Sequence, residues 1–156
     1  MPEPEVANRR PLSFRNWKIF EQLASRLARA GVTPNAISVA SMVFAAAAAA
    51  CLVATVQVVD GSLTQRGLWI AAGLLIQMRL IANMLDGMVA IEGGIESPLG
   101  ELFNEVPDRV SDVAILVAAG YAAGSDPRLG FAAAIVALFV AYVRAIGASA
   151  GVGQQF

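Results

Sequence analysis

Histidine is absent from this 156-residue chain, and cysteine occurs once, as Cys51. A zinc site of the His/Cys kind has one donor at most here, and neither a disulfide framework nor a thiol motif can be assembled. Charge is scarce as well. Only 15% of residues are Asp, Glu, Lys or Arg, and a net charge of −1 gives no basis for a nucleic-acid partner. The first thirty residues lack a short apolar core with a cleavage site, so no cleaved secretory leader is expected there.

Apolar residues fill the space left: 57% of the chain is hydrophobic and the mean hydropathy is +0.64. That composition predicts an all-α integral membrane protein of one domain. The charges that remain are segregated. Six of the eleven Lys and Arg fall between Arg9 and Arg29, whereas eight of the twelve acids fall between Asp86 and Asp126. The basic N-terminus predicts its own side as cytoplasmic, in a bacterial inner membrane.

In chain order, residues 1–12 are charged, contain Pro and are expected to be disordered. Residues 13–30 read as an interfacial amphipathic helix, because Phe14, Trp17, Phe20, Leu23 and Leu27 recur at three- and four-residue steps. Gly31 ends it, Thr33 is placed to cap the next helix, and Pro34 suits its first position. Four spanning helices are then predicted over 36–59, 68–91, 102–121 and 129–143, with polar turns at 60–67 and 122–128. The six alanines from Ala45 to Ala50 are either simple low complexity or a smooth surface for close helix packing. Residues 34–146 form the membrane domain on this reading, and 147–156 a Gly-rich tail.

The unusual stretch runs from Asn83 to Asp112. Carboxylates between apolar helices are costly and need a reason to be there. Read as helix, Asn83, Asp86 and Ala90 share a face, and Gly87 leaves room for a close approach. Gly100, Asn104, Asp108 and Asp112 follow a four-residue step and form one slanting stripe. Joined by the turn after Ile91, the two helices would be antiparallel neighbours with facing polar edges. Such hard oxygen donors suit Mg²⁺ or Mn²⁺. A polar hairpin whose acids merely face water is the alternative.

These residues resemble the signature of the CDP-alcohol phosphotransferases, D-x2-D-G-x2-A-R-x8-G-x3-D-x3-D. Asn83 takes the first Asp place, Asp86 and Gly87 the next pair, Ala90 the Ala and Ile91 the Arg. Gly100 takes the second Gly, Asn104 the third Asp and Asp108 the last. Thr33-Pro34-Asn35 and the pair Asp108-Arg109 followed by Asp112 are also similar to the family, and the likeness covers roughly 33–144.

The resemblance implies transfer of a phosphatidyl group from CDP-diacylglycerol to an alcohol, with release of CMP, by a membrane homodimer. In the family the aspartates bind two divalent metals that hold the pyrophosphate, and the last aspartate takes the proton of the alcohol. Carried over, Asp86 and Asp108 are metal ligands, Asp108 is also the base, and Asn83 and Asn104 offer uncharged amide oxygens. Asp112 is placed to compensate for a lost carboxylate. Gly87, Ala90 and Gly100 would admit the cytidine. Arg109 and Arg144 are candidates for an acceptor phosphate, with helix-end snorkelling the alternative for Arg144. Family members usually have six spanning helices, so a chain lacking two C-terminal helices is expected. A non-catalytic relative acting as a membrane binding or assembly component is the competing function. A channel lined by the acidic stripe has no inverted repeat behind it.

Overall fold

The computed structural model describes residues 18–92 and 98–150, with side chains for 18–91 and 105–150. Its elements are α1 (Lys18–Arg29), α2 (Pro34–Ala54) with a 3-10 turn (Thr55–Gln57), α3 (Leu63–Glu92), α4 (Pro98–Gly120) and α5 (Pro127–Ser149). The fold is an all-α membrane bundle. Three described helices are long and apolar enough to cross a bilayer, namely those of α2, α3 and α5. The sequence predicts four. α4 has the length, at 23 residues, but Glu105, Asp108, Arg109 and Asp112 interrupt its first half.

Local chemistry sets the ends. Gly31 takes φ +76°, and the Thr33 hydroxyl accepts from the Ala36 amide at 3.2 Å ahead of Pro34. α3 begins earlier than the expected 68, because the Ser62 hydroxyl caps the Gln65 amide at 3.1 Å and the helix runs on through Gly67. α5 likewise starts at Pro127, capped by Asp126, and continues past Arg144 through Gly147. Phe14 and Trp17 lie outside the described residues.

α2 is the hub, packing along both α3 and α4, with α5 carried on α4 and α1 on α3. One stripe of α2 is buried: Ile37, Ser38, Ser41, Ala45, Ala48 and Leu52. The alanine run therefore serves packing, since Ala45 and Ala48 sit at 2% and 0% exposure between two neighbours. α1 lays Phe20, Ala24 and Leu27 against Leu85, Met88 and Val89 near the end of α3. At the far end Gln65 Nε2 donates to Asp60 Oδ1 at 2.8 Å and to the Thr55 carbonyl at 3.2 Å. There the Thr55 hydroxyl accepts from the Ala123 amide at 2.8 Å, which ties the α4–α5 turn to the α2–α3 turn.

α2 and α3 are antiparallel, as the pairs Ser38–Asp86 and Ser41–Arg79 show. α4 runs beside α2 in the same direction, with Ala118 and Ala122 against Leu52. The polar edges of α3 and α4 face each other as expected, with Arg79 and Asn83 meeting Asp108 and Asp112. Among the described residues they meet chiefly through long polar side chains, while α2 packs along both.

α4 and α5 meet where no side chain fits. A Cβ on Gly130 would stand 2.8 Å from Gly120 Cα and 2.8 Å from the Leu116 carbonyl oxygen. Gly130→Val is accordingly expected to cost about 1–3 kcal/mol of stability by overpacking. Thermal unfolding in detergent reads this, and an unchanged midpoint would contradict the α4–α5 contact.

Candidate active site

The polar residues of three helices gather at the end of the bundle formed by the start of α2, the last turns of α3 and the first half of α4. Arg79, Asn83, Asp86 and Ala90 follow one another at four-, three- and four-residue steps and share a face of α3. Asp86 is 1% exposed and accepts from the Ser38 hydroxyl of α2 at 2.9 Å. Arg79, 4% exposed, reaches across to α4. Its Nη2 lies 3.1 Å from Asp108 Oδ1, 3.1 Å from Asp112 Oδ1 and 3.2 Å from the Asp108 carbonyl oxygen. The Asn83 side chain is hydrogen-bonded to the Asp108 carboxylate as well.

Among the described residues three buried side-chain atoms are left without partners: Arg109 Nε on α4, and Arg79 Nε and Asn83 Oδ1, a donor and an acceptor four residues apart on α3. Unsatisfied buried groups cost about 1–3 kcal/mol each, so an open donor and acceptor side by side make this a candidate binding contact. Among the described residues space is available beside them, since a Cβ on Gly87 would meet nothing within 4 Å. An apolar groove of about 240 Å³ runs alongside between α2 and α3, lined by Ile37, Ala40, Phe44, Met78, Ile81 and Leu85 among others.

The sequence-predicted residues divide three ways. Asn83, Asp86, Asp108 and Asp112 come together in this centre, and Gly87 and Ala90 border it on α3. Arg109 is engaged within α4, at 3.2 Å from Glu105 and 3.3 Å from Asp112. Arg144 stands exposed on α5 and forms no ion pair among the described residues. The side chain of Asn104, and any contact of Gly100, lie outside what is described. Arg79 and Ser38 are the residues that motif spacing missed. For Arg79 a signal existed, because a charge in mid-span, in phase with Asn83 and Asp86, is a functional candidate by default.

Against the curated proteins, the chain is 36% identical over 139 residues to archaetidylinositol phosphate synthase from Aeropyrum pernix. The match covers 89% of this chain and spans 65% of the relative's length. It joins the signature spacing to a lipid-synthesis enzyme. The likeness supports the resemblance to the CDP-alcohol phosphotransferase family. No protein-family model matches it, and no solved structure does.

Within that family the departures matter most at the metal places. Among the described residues no three acidic side chains meet as a metal cage. Asp108 and Asp112 already face the Arg79 guanidinium, and Asp86 is bonded to Ser38. The orphaned Asn83 Oδ1 is a suitable hard donor, yet by itself it supplies no charge. The described donor set does not fit the family's pair of divalent ions.

Breaking a buried ion pair from one side strands a charge and typically costs about 3–5 kcal/mol. Arg79→Met is expected to lose stability of that order, whereas Arg79→Met combined with Asp108→Leu and Asp112→Leu recovers most of it. Chemical denaturation in micelles compares the two. If the single substitution is silent, the bridge does not hold α3 to α4.

Proposed function

We propose that the chain is a membrane transferase of lipid synthesis, moving a phosphatidyl-type group from CDP-diacylglycerol or a similar CDP-activated lipid to an alcohol. The observation that carries this reading is the buried centre of Asp86, Asn83 and Asp108 at the family's signature positions, open at Gly87. The 36% identity to a synthase of archaetidylinositol phosphate supports it, and an inositol phosphate is the acceptor class which that name suggests.

In this reaction the alcohol oxygen forms a bond to the lipid-bearing phosphorus while the bond from that phosphorus to CMP breaks. The hydroxyl proton goes to the Asp108 carboxylate, and CMP leaves as its phosphate anion. Asn83 orients Asp108 through their hydrogen bond, and Ser38 fixes Asp86. Open space at Gly87 admits the nucleotide beside α3, and the groove between α2 and α3 takes lipid. Arg109 is near enough on α4 to meet an acceptor phosphate if it releases Glu105. The basic stretch before α2 supports a cytoplasmic side for this end of the bundle.

A second reading has an observation of its own. Asp108 is tied to Arg79, and amides replace two signature carboxylates at Asn83 and Asn104. A family member built this way would bind a CDP-lipid, or assemble with other membrane proteins, without turning it over.

Purified protein given labelled CDP-diacylglycerol and a panel of alcohols separates the two. CMP release is expected, and Asp108→Asn is expected to reduce it by about 10²-fold or more. Binding of the labelled lipid with no CMP from any acceptor would give the second reading the field.

A further inference from the structure

Each described carboxylate of the polar centre already has a partner inside the chain. Asp86 accepts from Ser38 at 2.9 Å, and Nη2 of Arg79 bridges Asp108 and Asp112 at 3.1 Å each. A guanidinium keeps its proton under all ordinary conditions, so this positive charge is permanent. It is also fixed in place. Arg79 is 4% exposed, and the Ser41 hydroxyl donates to its carbonyl oxygen at 3.3 Å, holding the turn that carries it.

The family's four signature aspartates are here two carboxylates, Asp86 and Asp108, and two neutral amides, Asn83 and Asn104. Both changes push the same way. Fewer negative charges attract a divalent ion less, and a buried guanidinium on Asp108 repels one. Nor is the guanidinium exhausted by its carboxylates. Its three bonds leave through Nη2, while Nε is buried with no acceptor and remains free to give its proton to a phosphate oxygen.

We propose that Arg79 is the resident cation of this site, holding on Asp108 and Asp112 the place that divalent ions hold elsewhere in the family. The centre binds no divalent metal and meets a phosphate with a fixed guanidinium instead. The inference deepens the transferase reading of the same centre, but its test needs no turnover, so the two fail separately.

The test is a Mn²⁺ titration of the full chain in micelles, followed by electron paramagnetic resonance. The wild-type protein is expected to leave the signal of free Mn²⁺ undiminished. Arg79→Gln, which frees Asp108 and Asp112, is expected to bind Mn²⁺ at least about tenfold more tightly, whereas Asn83→Asp, which restores a carboxylate but leaves Arg79 in place, binds it no more tightly than the wild type. Should Arg79→Gln fail to fold, Arg79→Gln combined with Asp112→Asn, which strands one charge fewer and keeps Asp86 and Asp108, decides in its place. Stoichiometric Mn²⁺ on the wild type, lost in Asp86→Asn, overturns the proposal. So does a set in which the wild type and every folded variant stay metal-free, because Arg79 would then not be what stands in the cation's place.

Discussion

A single guanidinium ties the third and fourth helices of this bundle together. Among the described residues α3 and α4 meet chiefly through side chains, and Arg79 reaches across to put one nitrogen on two carboxylates and a carbonyl. Everything distinctive about the site depends on that span. It keeps the acidic stripe of α4 facing inward where a membrane environment would otherwise reject it. Among the described residues the space beside Gly87, further along α3, stays open.

The rest of the bundle is arranged to let this happen. α2 can pack along both α3 and α4 because its inner stripe is made of small residues, with hydroxyls at the site end and alanines beyond. Ser38 and Ser41 give the polar centre its hydrogen bonds, and Ala45 and Ala48 give the helices their close approach. α5 leans on α4 through paired glycines and leaves Phe131, Ile135, Phe139 and Val143 facing outward. That apolar surface suits lipid, and it stands apart from the chemistry.

Much of this was legible in the chain. Uncharged runs located the helices, and the Gly31-Val32-Thr33-Pro34 punctuation placed the α1–α2 corner because each residue there acts on its own backbone. The starts of α3 and α5 were harder. Ser62 and Asp126 cap them from within segments that composition marks as loop. At the site, Asp86 and Asp108 stood out by signature and by helical phase. Their partners did not, because Ser38 is 48 residues from Asp86 and Arg79 is 29 from Asp108. Periodicity within one helix says which residues share a face, but not which foreign side chain meets them. The family signature names where aspartates should stand, and it is silent about a cation that arrives from the middle of α3.

The separation between the Arg79 guanidinium and the carboxylates of α4 tests the account most directly. Solid-state NMR on protein in lipid bilayers, with ¹⁵N in arginine and ¹³C in aspartate carboxyls, measures it without any substrate or metal. Strong dipolar coupling from Arg79 to both Asp108 and Asp112 is expected, as for nitrogen–oxygen contacts of 3.1 Å. Absence of that coupling, with Arg79 in contact with water or headgroup phosphate instead, would contradict it.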